Sequence, residues 1–334
     1  MNEAEKRDLV LEANPEQPTI ASRLQSKAMT RDFSVAVLVK EDMELIRVFA
    51  AYYVGLGAQE VMIFYDGVPD FPSPSFGPNV SFVQCDDTFW ATQIESKGAI
   101  LEERQSAIYR HAQARCTSEW MLIVDCDELL MCDAPVAELL RTVPHSVDIL
   151  RVPNVEAVCL SDQEEDANFG ALGFRRPAQG RLNRKVLKLV YGQDVRFLGK
   201  GLAGHSAGKQ FLRSRAQFEE IGLHDSTTLD KQIGRWITEF SQTQTLIAHF
   251  DAVSFDQWVR KFTRRHQMGK TVAHMRATRS QLVDVIADTA QLSSDDLRGR
   301  YRRLYRLSGF QYALLRLFGL AFKRNVFGEP DGKL

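Results

Sequence analysis

The chain predicts an α/β fold: a mostly parallel sheet flanked by helices, with a helical appendage toward its C-terminal end. Three observations carry that expectation. Short apolar runs rich in branched residues, FSVAVLV at 33–39, VMIFY at 61–65 and WMLIV at 120–124, recur among segments of helical period. Each run is too short for a globular helix and apolar on both faces, as strands covered from both sides are. From about Ser254 onward the pattern is helical.

Taken in order, residues 1–30 are polar and charged and are expected as a loosely ordered lead-in outside the sheet. Phe33 to Val39 makes the first strand. Leu45, Phe49, Tyr52, Tyr53 and Leu56 then fall on one side of a helix that Gly57 stops. Val61 to Tyr65 makes the second strand, ending at Asp66. Prolines and glycines through Asp66 to Pro78 bar regular structure, so a long surface loop follows. Val80 to Val83 is a short third strand, and Ala91 to Arg115 a long, charge-rich helix. Trp120 to Val124 is the central strand, Pro135 to Thr142 a shorter helix and Val147 to Val152 a further strand. Residues 154–182 are expected to be irregular, an acceptor-facing loop carrying Glu164, Glu165 and Asp166. Val186 to Val190 and Val195 to Leu198 are expected to pair as strands about Tyr191 and Gly192. Helices follow over Leu282 to Ala287 and Leu297 to Leu304. The last helix carries FQYALLRLFGLAFKR, whose Leu314, Leu315, Leu317, Phe318, Leu320 and Phe322 beside Arg316, Lys323 and Arg324 suit either packing on the main domain or an anionic membrane surface.

Composition bounds the function. The 334 residues suffice for one full α/β core. The expected division is a lead-in at 1–30, a main domain at 31–252 and a helical region at 253–334 packed on it. A net charge of −1 with 25% charged residues supplies no basic field for nucleic acid. The five cysteines are odd in number and lack a CxxC pair, which argues against a disulfide framework or a zinc ribbon and for a reducing compartment. With no run of eighteen apolar residues, the expected location is the cytoplasm, peripheral at most to the inner face of the membrane. The oligomeric state is not specified.

The central strand runs directly into three carboxylates, Asp125, Asp127 and Glu128. Open α/β sheets bind ligands beyond the carboxyl ends of their strands, so Asp125 and Asp127 face a crevice. Residues i and i+2 of an extended chain point the same way, and two unneutralised carboxylates there repel. A hard cation, Mn²⁺ or Mg²⁺, removes that repulsion and can bridge to phosphate oxygens. His249 follows the apolar Leu246-Ile247-Ala248 in the same strand-then-ligand arrangement and is a third candidate metal ligand.

Gly199 to Gly204 spells GxGxxG, but Lys185, Lys188 and Arg196 in the preceding segments argue against a dinucleotide-binding strand. The following AGHSAGKQ approaches a P-loop yet lacks its first glycine and the Ser/Thr after lysine. What remains is a glycine-rich loop whose His205, Lys209 and Arg213 can bring backbone N–H groups and positive charge to a phosphate, or else an ordinary connection with solvated bases.

The stretch LVKEDMELIRVFAAYYVGLGAQEVMIFYDG, then Arg104-Gln105, a helix and VDCDELL, then His249-Phe250 with Ser254, Trp258 and Lys261, resembles glycosyltransferases of the A-type (GT-A, Rossmann-like) fold, family 2-like and family 92-like, with their DxD motif. The matches span most of residues 33–265, loosely in the middle third. The resemblance implies a metal-dependent transfer of a sugar from a nucleotide-sugar, with a UDP-sugar expected, to a glycan or lipid-linked acceptor, as in polysaccharide biosynthesis, with inversion at the anomeric centre. It implies Asp125, Asp127 and His249 near the metal and diphosphate, and Lys40, Glu41 and Asp66 at the strand ends beside the nucleoside. Lys209 or Arg213 would add positive charge as the bond breaks. An inverting transfer needs a base for the acceptor hydroxyl, and Glu165, Asp166, His224 and Asp225 all stand as candidates. Two rivals are a haloacid dehalogenase-type phosphatase using Asp125 as nucleophile, and a nucleotide- or carbohydrate-binding protein without turnover. Leu129 where the phosphatase motif carries Thr or Val, and two strands before the motif, count against the first.

Overall fold

The computed structural model describes residues 33–67, 75–94, 98, 100–160, 173–229, 245–252, 254–268, 283 and 293–327. Two mixed sheets form the centre, and the chain crosses from one to the other at the carboxylate motif. The first sheet contains β1 (Phe33–Val39), β2 (Glu60–Tyr65), β3 (Val80–Gln84), β4 (Trp120–Ile123), β6 (Ile149–Val152) and β9 (Lys209–Arg213), in the order β3-β2-β1-β4-β9-β6. β3, β2, β1 and β4 are parallel, so Lys40, Asp66 and Asp125 all follow strands that end at one edge of the sheet. β9 runs antiparallel to β4 and β6, and its first residue, Lys209, enters at that same edge.

Burial follows the apolar runs. All seven residues of β1 are buried. α1 (Met43–Gly55) covers one face with Leu45, Ile46, Phe49, Tyr52 and Tyr53, and Gly57 turns the chain at φ +97. α2 (Leu101–Arg115) covers the other face with Ile108, Tyr109 and Ala112. Two tyrosines of α1 reach on to the second sheet: Tyr52 donates its hydroxyl to Leu130 O (2.6 Å) and Tyr53 to Glu128 O (3.0 Å).

The second sheet has the order β14-β8-β7-β12-β5, from β5 (Glu128–Met131), β7 (Asn154–Leu160), β8 (Gly173–Arg175), β12 (Leu246–His249) and β14 (Ala321–Lys323). β12 is antiparallel to β5 and parallel to β7, a register that sets His249 opposite Glu128 on one side and Glu156 on the other. β10 (Phe218–Ile221) and β11 (Ser226–Thr228) form a separate hairpin. β13 (Arg306–Leu307) pairs with β7 outside the main order.

Several sequence expectations are corrected. The described part of the stretch expected to be irregular is not: 154–160 form β7, 173–175 form β8 and a helix starts at 180, while 161–172 lie outside the described residues. The expected strand pair is instead α4 (Gly180–Tyr191) followed by a 3-10 turn (Gly192–Phe197). Val186, Leu187, Val190 and Tyr191 are buried at helical spacing, and Gly192 ends the helix with a positive φ of 54. The long helix is divided, with a helical turn at Asp87–Phe89 and a π-helical segment at Trp90–Ile94 before α2. Lastly, α7 (Gly309–Leu317) stops early, and Gly319, at φ +69, turns the chain into β14.

α3 (Val136–Arg141) lies where expected. α5 (Phe255–Met268) and α6 (Ser294–Tyr305) join α4 and α7 around a second core in which Trp258, Phe262, Tyr301 and Tyr305 pack ring on ring. Apart from Val283, the helix expected over Leu282 to Ala287 lies outside the described residues, as does the 1–30 lead-in. Among the described residues no helix is long and apolar enough to cross a membrane.

Candidate functional site

Four residues, Val124 to Asp127, carry the chain from β4 to β5, and the site is built around that corner. Asp125 Oδ2 accepts from the Lys209 ammonium (2.7 Å), which also reaches Glu128 Oε2 (2.9 Å). Glu128 Oε2 accepts the Asp125 backbone N–H at 2.9 Å, which fixes the corner. Lys209 is 1% exposed. Burial alone would lower its pKa, but Asp125 and Glu128 raise it above the ordinary lysine value, so it remains an ammonium. Desolvation of these charges is offset only because each finds close partners.

Asp127 has the other lysine. Lys261, from α5, lies 2.5 Å from Asp127 Oδ2 and 3.1 Å from Asp251 Oδ1, and donates to Asp251 O at 3.2 Å. Tyr305, from α6, donates its hydroxyl to Asp251 Oδ2 (2.6 Å). Burial would raise the Asp127 pKa, yet the charges of Lys261 and His249 hold it well below the usual carboxylate range.

Three histidine rings lie close together, tilted to one another, beside the corner. His205 Nε2 meets Glu128 Oε1 at 2.8 Å, and the His205 ring centroid lies 4.8 Å from that of His249 and 4.3 Å from that of His224. His224 Nδ1 lies 2.9 Å from Gly208 O, and since a carbonyl can only accept, Nδ1 carries the proton and Nε2 the lone pair. Burial first, then the charges of His249 and Lys209, push His205 well below its ordinary pKa. Burial, then Lys209 and His205, bring His224 down to about 3. Both rings are therefore neutral near pH 7, the form that accepts a proton or ligates a metal.

The glycine-rich loop fits closely around these rings. Ala203 N donates to Glu156 Oε1 (2.9 Å) and Gly204 N to Oε2 (2.5 Å), and Arg175 Nε also donates to Oε1 at 2.9 Å. Those two amides are thus spent inside the protein and do not face a phosphate. A Cβ on Gly204 would lie 2.6 Å from His249 Nδ1, and one on Gly208, at φ +74, would overlap Val152 O.

Among the described residues, two groups of side chains are spaced for a cation: Asp127, His249 and Asp251, and Glu128, His205 and His249, with ligand atoms within 4.8 Å of one another in each. The carboxylate donors suit Mn²⁺ or Mg²⁺, and the imidazole adds a nitrogen ligand of the kind first-row transition ions take. Among the described residues, His205 Nδ1 and His249 Nδ1 have no hydrogen-bond partner. Asp125 belongs to neither group; its carboxylate meets Lys209 and, at 3.5 Å, Gln105 Nε2.

The remaining sequence candidates separate into near and far. Lys40, Glu41 and Asp66 lie at the strand ends on the same sheet edge. Arg264 of α5 donates to Lys40 O (2.7 Å) and pairs with Glu41 (2.5 Å), and Arg104 pairs with Asp66 at 3.3 Å. Arg213 is at the opposite end of β9, level with Trp120 at the start of β4, where it pairs with Glu119 and stacks on the indole at 4.2 Å. Its expected place at the phosphate with Lys209 is therefore corrected: the two are the opposite ends of a five-residue extended strand. Asp225 is exposed and paired with Arg151. Glu165 and Asp166 lie outside the described residues. Sequence reasoning assigned nothing to Glu156, Arg175 or Asp251, and Lys261 entered only through the family resemblance. The readable signal for Lys261 was its place three residues after Trp258, on the buried face of a helix.

No family model matches the chain, and no curated protein matches it. Among solved structures, it is similar to a mycobacterial protein at 14% identity and a TM-score of 0.29, over 70% of each chain. It is similar to S. aureus TarS in complex with UDP at 12% identity and a TM-score of 0.25, over 55% of this chain and 47% of that one. A third similarity is to glucosyl-3-phosphoglycerate synthase from Mycobacterium tuberculosis in complex with Mn²⁺, UDP and glucosyl-3-phosphoglycerate, at 12% identity and a TM-score of 0.27, over 60% of this chain and 65% of that one.

Proposed function

We propose that this protein is a metal-dependent glycosyltransferase of the GT-A type, moving a sugar from a nucleotide-sugar, with UDP the expected carrier, to a glycan or lipid-linked acceptor. One observation carries the proposal: Asp127 follows β4, at the carboxyl ends of the parallel strands β1, β2 and β4, and stands in a cation-sized group with His249 and Asp251. Asp127 and His249 would hold Mn²⁺ or Mg²⁺, with Asp125 next to them. The bound ion would neutralise the diphosphate leaving group.

The chain's own residues do the rest. Lys209, buried and paired with Asp125 and Glu128, keeps an ammonium beside the corner, where it would offset negative charge gained by the leaving group. Lys40, Glu41 and Asp66 line the nucleoside side, with Glu41 and Asp66 oriented by Arg264 and Arg104. For an inverting transfer His224 is the favoured base, since its Nε2 carries the lone pair, whereas Asp225 is held in solvent by Arg151. A pKa of about 3 makes His224 a weak base without ligand. The negative charge of an arriving diphosphate raises it toward a useful value.

Release of nucleoside diphosphate from a panel of nucleotide-sugars, with and without Mn²⁺, tests the proposal. Mn²⁺-dependent turnover of one donor by the wild type, lost in a folded Asp127→Asn variant, is expected. Turnover undiminished in Asp127→Asn contradicts it.

A further inference from the structure

Among the described residues six large apolar side chains are exposed, and four of them stand on two helices that pack against each other. Leu182 (62% exposed) and Leu189 (70%) lie seven residues apart on α4, and Phe310 (74%) and Leu317 (78%) seven apart on α7. A spacing of seven returns to the same face of a helix, so each pair forms one outward stripe. The inner faces are spent elsewhere: Val186, Leu187, Val190, Tyr191 and Leu315 share the second core. Gln311 Nε2 of α7 donates to Val190 O of α4 (2.8 Å), which fixes the two helices side by side.

Charge on this surface has one sign. Arg181, Arg184, Lys185 and Lys188 of α4 are all exposed, and no acidic residue falls within Gly180–Tyr191; α7 adds the exposed Arg316. In a chain of net charge −1 this is a local concentration. The structure also redraws the membrane face expected from the C-terminal segment, because Leu315 and Leu320 are buried and Leu317 alone of that set is exposed.

We propose that the outer faces of α4 and α7 together dock on an anionic lipid surface. Leucine and phenylalanine interleaved with arginine and lysine match an interface where apolar tips enter the acyl boundary while long basic side chains reach the headgroups. Nucleic acid would meet the same charge but gain nothing from the four apolar tips. The inference is independent of the chemistry proposed for the crevice.

Co-sedimentation of the full chain with phosphatidylcholine vesicles and with phosphatidylcholine–phosphatidylglycerol vesicles tests it. The wild type should pellet with the anionic vesicles only, and less at high salt. Leu189→Asp with Leu317→Asp, and separately Lys185→Glu with Lys188→Glu, should each lower partitioning by at least about tenfold, since each basic residue near such a surface contributes on the order of a factor of five. Thermal unfolding checks that the variants fold, and Leu189→Ser with Leu317→Ser replaces the aspartate pair if it does not. Absence of wild-type pelleting with anionic vesicles, or pelleting of both variants equal to that of the wild type, overturns the proposal. So does a wild-type dimer in light scattering that Leu189→Asp converts to monomer, which would assign the face to a second copy of the chain.

Discussion

Lys261 Nζ lies 2.5 Å from Asp127 Oδ2, and the same ammonium lies 3.1 Å from Asp251 Oδ1. A lysine cation therefore occupies the space between two carboxylates of a group that is spaced for a metal. Ammonium and divalent ion compete for the same negative charge, so one must withdraw for the other to bind.

That competition sets the first prediction. Lys261→Met leaves Asp127 and Asp251 buried without their cation, and breaking a buried pair costs about 3–5 kcal/mol. The variant should unfold at a lower temperature than wild type in chelator. Mn²⁺ should then raise its Tm by more than it raises the wild type's, because at one concentration a ligand that binds the folded state more tightly stabilises it more. Equal Mn²⁺ shifts in the two proteins contradict the competition.

Acid should weaken the fold through the histidines. With its pKa brought down to about 3, His224 stays neutral in the folded chain while the unfolded chain takes up a proton below about 6.5. The unfolded state thus binds more protons in this window, and stability falls as pH drops from about 6.5 toward 3. His205 shifts in the same direction. Urea midpoints at pH 7.5 and 5 measure the slope, and His224→Gln should flatten it.

Gly204 is fixed by contact. Gly204→Ala sets a methyl 2.6 Å from His249 Nδ1 and 2.9 Å from Glu156 Oε2. Overpacking of this kind costs about 1–3 kcal/mol. Lower stability together with weaker Mn²⁺ binding is expected, because the displaced ring is a candidate ligand. Gly309→Ala, where a Cβ meets nothing within 4 Å, is the control.

The Glu156–Arg175 pair positions the loop that carries His205. Arg175 is 2% exposed, and its Nη1 also donates to Tyr191 OH (2.9 Å) and Leu304 O (2.8 Å). Arg175→Met should cost about 3–5 kcal/mol, and adding Glu156→Gln should restore part of it, since the stranded charge is then removed. Chemical denaturation of the two variants checks the sign of the coupling.

What the sequence made legible follows from range. β1, β2 and β4 are continuous apolar runs, and the motif at Asp125 and Asp127 directly follows one of them, so both were readable locally. β7 was not, because Asn154 and Glu156 interrupt its apolar pattern, and they are buried only through partners at His205, Gly208, Ala203, Gly204 and Arg175. The run around Val186 to Val190 fits either a strand or a helix, and packing of Val186, Leu187, Val190 and Tyr191 into the second core decides for the helix. Asp251 and Lys261 reach the site from 124 and 134 residues beyond Asp127, across a register that no local pattern encodes.

The central claim is that Asp127 belongs to a metal-dependent nucleotide site. Calorimetric titration of UDP into the wild type and into Asp127→Asn, each with and without Mn²⁺ and each checked for folding by circular dichroism, tests it most directly. UDP binding that requires Mn²⁺ in the wild type and disappears in Asp127→Asn is the predicted result; UDP binding that is the same without Mn²⁺, or undiminished in the variant, would contradict it.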